Sequence, residues 1–464
     1  MNLKRFFAKF IAGTILVSTA MCNAIPAYAS TTISTEAVAG EKTLRNLLET
    51  AMLPCGSTLY VWGGGWNKAD TGAGIDSTTI GTSHTWKSYF QNNSGKYDYK
   101  DHKYEIHNGL DCSGFVGWTI YNTMENQSGK TGYVYKSTNT AAEYAAKGWG
   151  TYIKNNQIKK YQVGDIVSIS GHVWISLGQC NDGSVLLIHS TPNAGVQISG
   201  TQTSSGGNNS EAVRIAQEAM KKYFPYWSRF YSAKTCSANT YLKGNLMRWD
   251  FSKTLKDPDE LHNMTPAQVI DVLLKNRPLY MNYFDLEKAD WYNSSTEYML
   301  EKGWMTGMGT GIFAPTNKLT RAQMIQILYN SSSQPQVSHQ KVFNDVDPSA
   351  WYGSAVEWAA ENNIAAGVGN NCFAPNEPIT REQMVTFLSK YSKQAGVSSI
   401  DSEDEDESIL DPYVDKDTIS PWAKQAMIWA VQQKIITGTS SKTLSAKSTA
   451  TRAECAQVIF NFKA

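Results

Sequence analysis

The C-terminal half of the chain repeats one pattern three times, and this repetition constrains the fold more than any other feature of the sequence. Each copy has a tryptophan, then a glycine sixteen residues later, an apolar residue after twenty-two and an arginine after thirty. No gap is needed within any copy, so the pattern predicts three copies of one structural unit. The aligned residues are Trp291, Trp351 and Trp422; Gly307, Gly367 and Gly438; Phe313, Phe373 and Leu444; and Arg321, Arg381 and Arg452.

Each copy is predicted to form two helices joined by a glycine-containing loop. In the second copy, Trp351, Ala355 and Trp358 recur at helical spacing on one face. The second helix of each copy starts with a capping box, in which a threonine and a glutamine or glutamate three residues later satisfy free N–H groups. The pairs are Thr320 with Gln323, Thr380 with Gln383, and Thr451 with Glu454.

An arginine follows each of these threonines, at the first helical position. A cation there faces the positive end of the helix dipole, where an acidic residue would be favoured. A solvated arginine on a capped helix explains any single copy. The same offset in three copies favours a bound anion, held by the arginine and by the free N–H groups of the helix start.

The tandem pattern resembles three S-layer homology repeats, at residues 281–334, 340–396 and 410–464, with an acidic linker at 397–409. The resemblance implies an all-α, pseudo-threefold domain that binds pyruvylated secondary polysaccharides of Gram-positive cell walls. In the third copy "LSA" replaces the "FAP" of the other two, so its groove is expected to be weaker or unused. The implied carboxylate-holding residues are Arg321, Arg381 and Arg452. The residues implied to pack the helices or line the sugar grooves are Trp291, Trp351 and Trp422.

The N-terminus predicts export. Three basic residues within the first nine positions precede an apolar run, residues 10–21, which is too short to span a bilayer. The "AYA" at 27–29 offers a small-x-small cleavage site, so residues 1–29 are predicted to be a secretory signal peptide. Cys22 suggests a lipoprotein as the alternative, which the bulky Met21 before it disfavours.

The charge balance excludes some classes of partner. Removal of the signal peptide leaves 39 basic residues against 41 acidic ones, which gives no general attraction to nucleic acid. No later segment is apolar enough to predict a membrane span. The acidic run "DSEDEDE" at 401–407 predicts a solvated loop, with weak calcium binding as the alternative. The six remaining cysteines lack the paired spacing of a metal site, so no metal or cofactor is predicted.

A single thiol in the N-terminal half is a candidate nucleophile. In "NGLDCSGFVGW" (108–118), Cys112 stands at the predicted start of an apolar helix. The helix dipole and free N–H groups there favour a thiolate and lower the pKa of a cysteine. The preceding Asp111 opposes this shift, so we expect a histidine nearby. A cysteine that only packs in the core is the alternative.

Two predicted strands downstream supply histidines. "HVWISLG" starts with His172, whose side chain shares a face with Trp174. A turn signal, "NDG" at 181–183, leads into a second strand that carries His189. A hairpin would hold both imidazoles near one edge of a sheet. A cysteine, a histidine base and a second polar group that orients this base form the arrangement that thiol catalysis needs.

With "YVWGG" at 60–64, these motifs resemble, in their order, the NlpC family of papain-like peptidoglycan endopeptidases, over about residues 44–190. The resemblance implies an α+β papain-like catalytic domain, which we place at 30–255, followed by a linker with a short helix at 256–280. It implies that Cys112 is the nucleophile, His172 the general base and His189 the residue that orients this base. The residues implied to line the stem-peptide pocket are Tyr60, Asp111 and Ser113.

Two segments depart from that family. The insertion at 65–110 is aromatic-rich and is predicted to be either a groove wall that stacks on glycan or a folded insertion with its own small core. A metal site formed by His84, His102 and His107 is the less favoured alternative, because their spacing does not align them. The segment 201–253 is predicted to contain an amphipathic helix and a core-forming aromatic cluster, "YFPYWSRFY".

Together these features predict a secreted cysteine peptidase that is tethered to the bacterial cell wall and needs no cofactor. Its expected substrate is the peptidoglycan stem peptide, cut between D-glutamate and the diamino acid. One alternative is an amidase acting between muramic acid and L-alanine, or a cross-bridge endopeptidase. The alternative from another class is a catalytically inactive surface or adhesion protein.

Overall fold

The computed structural model describes residues 37–396, 406–440 and 442–463. The predicted signal peptide at 1–29 lies outside the described residues, as does most of the predicted acidic linker at 397–409. In the N-terminal part, seven strands form one sheet. The strands are β1 (Gly150–Ile153), β2 (Ile166–Ile169), β3 (His172–Gln179), β4 (Val185–Thr191), β5 (Gly195–Thr201), β6 (Thr235–Cys236) and β7 (Asn245–Trp249).

The sheet has the order β1-β7-β2-β3-β4-β5-β6. All neighbouring strands pair antiparallel except β5 and β6, which pair parallel. At the centre, Ile175 of β3 pairs with Ile188 of β4, and His189 of β4 pairs with Gln197 of β5. The predicted hairpin between the two histidine strands is therefore present, and β5 extends it on one side.

Helices of the N-terminal part pack on this sheet and around its ends. A buried helix, α3, carries the apolar run after Cys112, and every one of its residues is buried. The amphipathic helix predicted within 201–253 is present as α5 and packs on β5. The helices are α1 (Leu44–Met52), α2 (His84–Asn93), α3 (Cys112–Met124), α4 (Thr140–Ala146), α5 (Glu211–Tyr223) and α6 (Ala238–Tyr241).

The two faces of the sheet bury different side chains, because successive strand residues point to opposite sides. Val173 and Ile175 belong to the main core together with Phe115 of α3. Trp174 belongs to a smaller cluster on the other face, which includes Tyr241. Each large apolar side chain buried in this way stabilises the fold by about 1.5–3 kcal/mol.

The aromatic insertion at 65–110 packs on the main core. Trp86 and Phe90 of α2 are 1% and 0% exposed and belong to the same core as Phe115. The Trp86 ring meets the Trp118 ring of α3 edge-on, with 5.6 Å between centroids. The insertion therefore does not form a separate small core, which was one of the two interpretations of its sequence.

The C-terminal part contains the two helices predicted for each copy, after a short linker helix. In the described residues from 281 onward, the only β pairings are isolated bridges. The three copies bury their aligned apolar residues, Phe313, Phe373 and Leu444, in one common core. The helices are α7 (Pro266–Ile270) in the linker, α8 (Asn293–Glu301) and α9 (Arg321–Ser331), α10 (Gly353–Glu361) and α11 (Arg381–Gln394), and α12 (Lys424–Gln432) and α13 (Arg452–Lys463).

The three copies close into a ring through main-chain hydrogen bonds. Leu319 N–H donates to the carbonyl of Ala450, Ala450 N–H to that of Ile379, and Ile379 N–H to that of Leu319, each at 2.9 Å. These residues come just before the second helix of each copy. Each copy therefore contacts both of the others, and the third copy completes the ring that the first begins.

Candidate active site

Cys112 is the first residue of α3, where the sequence predicts it. Asp111 is the N-cap, and its Oδ1 accepts a hydrogen bond of 2.7 Å from Gly114 N–H. The Cys112 side chain is 5% exposed. The candidate nucleophile therefore stands at a helix start and belongs to the buried main core.

The glycines of "YVWGG" hold this helix start. A Cβ atom on Gly114 would lie 1.9 Å from the carbonyl oxygen of Gly64, so only glycine fits there. Asp111 N–H donates to the same carbonyl at 3.0 Å. Gly65 has φ +89°, a conformation that glycine adopts without strain. The two motifs that carry the family resemblance thus form one packed unit.

Asp111 and Ser113, two of the three predicted substrate-binding residues, hold the motifs together in the structure. The two Asp111 carboxylate oxygens accept hydrogen bonds from Gly114 N–H, Gly63 N–H and the Ser113 hydroxyl. Ser113 in turn accepts from the indole N–H of Trp66 at 3.0 Å. Both residues are buried and their polar atoms are already paired. Their observed contacts are structural, and their place in a stem-peptide pocket remains a prediction.

The third predicted substrate-binding residue, Tyr60, is 5% exposed and lies near Cys112 and Asp111. Its ring meets that of Tyr99 edge-on, with 5.6 Å between centroids. Its carbonyl accepts a hydrogen bond of 2.8 Å from the Tyr97 hydroxyl. The insertion thus reaches the site and covers one side of it.

The electrostatics of the thiol differ from the expectation. Burial raises the pKa of Cys112 to about 12, and the Asp111 carboxylate raises it further. Main-chain N–H groups of Val173 and Ser113 act in the opposite direction but are outweighed. The prediction of a lowered pKa is wrong for this arrangement, because burial opposes the thiolate more than the helix start favours it. Cys112 is a neutral thiol at neutral pH.

The two predicted histidines lie in contact. Nε2 of His172 and Nδ1 of His189 are 2.7 Å apart, and the ring planes are inclined at 75°. Burial lowers the pKa of His172 to about 3, and the nearby Lys234 ammonium adds to this effect. Burial also lowers the pKa of His189, with further contributions from His172 and Lys234. Both imidazoles are therefore neutral at neutral pH.

Cys112 lies beside the strand that carries His172. Its sulfur interacts with the main-chain N–H of Val173, the residue after His172, as well as with that of Ser113. Within the described residues, no hydrogen bond joins the sulfur to either imidazole. Catalytic hydrogen bonds are often long without substrate, so this geometry is compatible with a thiol and its base before substrate binds.

Tyr241 completes the site, and the sequence analysis did not find it. Its ring centroid lies 5.4 Å from that of His172 and 5.8 Å from that of His189. It is also close enough to Cys112 for the two groups to interact electrostatically. Tyr241 comes from the segment 201–253, outside the resemblance, and no local signal in "SANTYLK" marks it.

The three histidines of the insertion and the cysteines were the remaining candidates for a metal site or for disulfides. His84, His102 and His107 each lie beside a different carboxylate, Glu287, Glu105 and Asp76 respectively, so they do not converge on one point. The six cysteines of the described residues are all unpaired.

In the repeats, the main-chain N–H groups at the start of each second helix contact another copy. Arg321 N–H and Ala322 N–H donate to the carbonyls of Glu377 and Pro375 in the second copy, each at 3.0 Å. The second copy makes the same pair of bonds to the third, and the third to the first. The N–H groups that were expected to hold an anion are thus occupied by main-chain carbonyls.

The arginine side chains contact the same neighbouring copy as these N–H groups do. Arg321, Arg381 and Arg452 are 3%, 6% and 4% exposed. Each directs Nε and one terminal nitrogen to two carbonyls of the next copy, so these donors join the copies, and the expected carboxylate-holding role of the arginines remains a prediction. The acceptors are Phe373 and Ala366 for Arg321, Leu444 and Thr437 for Arg381, and Phe313 and Thr306 for Arg452.

The aligned tryptophans are the exposed part of each copy. Trp291, Trp351 and Trp422 are 64%, 62% and 58% exposed. They do not pack the helices together, which was one of the two roles implied for them. In the first two copies the ring also meets a neighbouring tyrosine edge-on. An exposed aromatic face beside polar groups is suited to stacking on a sugar ring.

An aspartate in each copy was missed by the sequence analysis. Asp285 accepts hydrogen bonds from the N–H groups of Phe313 and Ala314, at 2.7 and 2.6 Å. Ala314 has φ +61°, and the two bonds hold this left-handed residue in place. The equivalent residues are Asp345 and Asp415. Asp415 stands one position further from its tryptophan than the others, which hides the alignment.

Comparison with known proteins supports the reading of the repeats. The family described as S-layer homology domain matches residues 283–325, 342–385 and 412–456, so the predicted repeats are confirmed. The chain is 28% identical over 173 residues to "Exoglucanase XynX" of Acetivibrio thermocellus, which covers 37% of this chain and 15% of that protein. It is 28% identical over 158 residues to "Surface-layer 125 kDa protein" of Lysinibacillus sphaericus, covering 34% and 12% of the two chains.

A third relative is "Cellulosome-anchoring protein" of Acetivibrio thermocellus, 26% identical over 34% of each chain. The chain thus covers about a third of this relative's length and less of the other two. The three S-layer homology domains associate the chain with the surface or cell wall of a bacterium. Among the described residues, no helix is long and apolar enough to cross a membrane. The NlpC-type assignment of the N-terminal part remains a prediction.

Proposed function

We propose that this chain is a wall-anchored cysteine peptidase that hydrolyses an amide bond in peptidoglycan stem peptides. The observation that carries the proposal is the 2.7 Å contact between His172 and His189 beside the helix that starts at Cys112. The order of the motifs supports it, since "YVWGG", "DCSGF", "GHV" and a final histidine recur in that order in NlpC-type peptidases. The first two motifs also pack against each other in the structure, through the contact between Gly114 and the Gly64 carbonyl.

In the proposed reaction, the Cys112 sulfur attacks the carbonyl carbon of the scissile amide. The thiol proton passes to His172, which then donates it to the nitrogen of the leaving amine. The C–N bond breaks and an acyl-enzyme thioester forms. A water molecule, deprotonated by the same imidazole, attacks this thioester and releases the carboxylate product and the free thiol.

The pKa values set the form of the resting site. Since burial raises the pKa of Cys112 to about 12 and lowers that of His172 to about 3, the resting pair is a thiol beside a neutral imidazole. The proton is therefore transferred as the sulfur attacks, and no thiolate–imidazolium pair exists beforehand. A bound stem peptide would bring polar amide groups to this site, and these favour the imidazolium and the carbonyl oxyanion that form as the sulfur attacks.

The three C-terminal copies are proposed to hold the enzyme on a pyruvylated secondary wall polysaccharide. The exposed rings of Trp291, Trp351 and Trp422 provide the surfaces that sugars would stack on. Anchoring raises the local concentration of the peptidase on an insoluble substrate.

The bond that is cut is tested by digestion of purified peptidoglycan followed by mass spectrometry of the released muropeptides. We expect products that end in D-glutamate and products that begin at the diamino acid. Products with a free muramic acid lactyl group would instead indicate an amidase, and cleaved bridges a cross-bridge endopeptidase. Intact muropeptides after prolonged digestion would contradict the peptidase proposal and favour an inactive wall-bound protein.

A further inference from the structure

Beyond the histidine pair, a chain of buried hydrogen bonds continues across the sheet. Nε2 of His189 lies 3.0 Å from the Ser199 hydroxyl, and Ser199 lies 3.2 Å from Oε1 of Gln197. The main-chain N–H of Lys234 then donates to the same Oε1 at 2.8 Å. Ser199, Gln197 and His189 are all 0% exposed. The sequence motifs of the proposed peptidase do not include Gln197 or Ser199.

The main-chain N–H of Lys234, at one end of this chain, determines which group donates and which accepts in each bond. A main-chain N–H is always a donor, so the Gln197 atom that faces Lys234 N–H must be the amide oxygen. This oxygen has only lone pairs, so the Ser199 hydroxyl must donate to it. Nε2 of Gln197 has no hydrogen-bond partner among the described residues, so only the oxygen of this amide takes part in the chain of bonds.

The donor–acceptor order of these bonds determines which nitrogen of each imidazole carries the proton. Because Ser199 donates its proton to Gln197, it accepts from His189, whose Nε2 must carry the proton. In a neutral imidazole only one nitrogen is protonated, so Nδ1 of His189 is an acceptor. Nε2 of His172 must therefore donate to it, which leaves Nδ1 of His172 with the free lone pair.

We propose that Gln197 and Ser199 are positioning residues that fix the tautomer of His172, so that Nδ1 is the nitrogen able to accept the thiol proton. This inference rests on the proposed function for its catalytic meaning, but the tautomer itself can be measured without any substrate. A neutral His189 alone can donate or accept through Nδ1 and fixes no direction. Because the main-chain N–H of Lys234 can only donate, it fixes the Gln197 oxygen as an acceptor. Ser199 must then donate to Gln197 and accept from His189.

Other polar groups that face the pair do not replace this chain. The Lys234 ammonium interacts electrostatically with both imidazoles but donates its hydrogen bond to Thr191 at 3.0 Å. Tyr241 presents its ring to both histidines and interacts through its hydroxyl with Cys236 and Thr191. Cys236 also adjoins Ser199, and its thiol is only a weak donor or acceptor.

The test compares the full-length wild type with Ser199→Ala and Gln197→Leu by ¹⁵N NMR of histidine-labelled protein. In the wild type we expect His172 protonated on Nε2. Gln197→Leu frees the Ser199 hydroxyl to donate to His189, so part of the population should move to the Nδ1 tautomer of His172. Ser199→Ala should give a mixture, and in both variants kcat on a stem-peptide substrate should fall by at least about 10-fold with KM little changed.

Two conservative variants and a control distinguish loss of this chain of hydrogen bonds from general destabilisation. Gln197→Glu and Ser199→Thr retain the acceptor and the hydroxyl, so both should keep the wild-type tautomer. Ser176→Ala removes an equally buried hydroxyl from β3 that accepts from Gly178 N–H and lies outside the chain of bonds, so it should change neither tautomer nor kcat.

An unchanged Nε2 tautomer in folded Ser199→Ala and Gln197→Leu would overturn the inference. Loss of activity in all variants including Ser176→Ala would also contradict it, since a general destabilisation would then explain the loss. If the wild type cleaves no stem peptide but the tautomer changes as expected, the proposed function fails while the positioning of His172 stands.

Discussion

Nε of Arg321 donates a hydrogen bond of 2.8 Å to the carbonyl oxygen of Phe373, which belongs to the next copy of the repeat. Arg381 and Arg452 make the equivalent bonds to Leu444 and Phe313, so the three arginines connect the copies head to tail in a closed ring. Each guanidinium group is buried, and its nitrogens donate to main-chain carbonyls of the next copy. The arginines therefore stabilise the domain that presents the tryptophans.

Replacement of one arginine should weaken the whole ring. We expect Arg381→Ala to lower the free energy of unfolding of the C-terminal part by about 2–4 kcal/mol, because the buried carbonyls of Leu444 and Thr437 lose their donor. Urea titration of the full chain measures this. Lys390→Ala, an exposed position on the same helix, should change stability by less than about 0.5 kcal/mol. Equal stabilities, with wall binding lost only in Arg381→Ala, would favour an anion-holding role.

The exposed tryptophans should contribute to wall binding and not to stability. We expect Trp291→Ala and Trp351→Ala each to weaken sedimentation with purified walls, and the combined variant to abolish it, while the thermal midpoint stays unchanged. Val414→Ala is the control, because Val414 is also an exposed apolar residue of the repeats, at 75% exposure. Unchanged pelleting of the combined variant would remove the tryptophans from the binding surface.

Substitution of the glycine behind the nucleophile should disrupt the site. In Gly114→Ala the new Cβ would meet the Gly64 carbonyl at 1.9 Å, so the helix start must move away from "YVWGG". We expect destabilisation of about 1–3 kcal/mol, as for overpacking, together with loss of activity. Gly207→Ala, where the nearest atom is 3.7 Å away, should be close to neutral in circular dichroism melts and in activity. A fully active Gly114→Ala would contradict the packing.

The buried imidazole of His172 should make stability depend on pH. In the unfolded chain a histidine binds a proton near pH 6.5, whereas burial lowers the pKa of folded His172 to about 3. Between these values the unfolded chain binds more protons, so stability falls as the pH falls. From pH 6.5 to pH 5 this amounts to about 1.6 kcal/mol.

Comparison with His172→Gln measures this contribution together with the effect of His172 on the pKa of His189. Asp111 and Glu49, whose pKa values are raised to about 6 and about 7, favour the folded state as the pH falls, and they cancel because both proteins contain them. The variant should gain about 1.6 kcal/mol relative to the wild type between pH 6.5 and pH 5, measured by urea unfolding. A difference that does not change with pH would show that the imidazole titrates freely in the folded protein.

The sequence predicted those parts of the molecule that depend on local periodicity. Alternation in "HVWIS" and the "NDG" turn predicted a hairpin that holds His172 and His189 near each other, and the structure brings Nε2 of the first within 2.7 Å of Nδ1 of the second. The repeat spacing predicted the helix pairs, and the capping threonines predicted where the second helices begin. These features follow from residues close together in the chain.

The failed expectations depend on contacts that local sequence does not encode. The free N–H groups were expected to hold an anion because the sequence does not show that each helix start faces the next copy. The thiol pKa was expected to be low because burial depth is a property of the assembled core. Tyr241 reaches the site from a segment distant in the chain, whereas Gln197 pairs with His189 across the next hairpin, and neither motif spacing nor periodicity marks either residue as part of the site.

The central claim is that the sulfur of Cys112 carries out the proposed hydrolysis, and the rate of muropeptide release from purified walls tests it most directly. Cys112→Ala should bind walls like the wild type and release no muropeptides. Cys180→Ala, which removes another buried thiol, should release them at close to the wild-type rate. Release by Cys112→Ala at the wild-type rate would contradict the account.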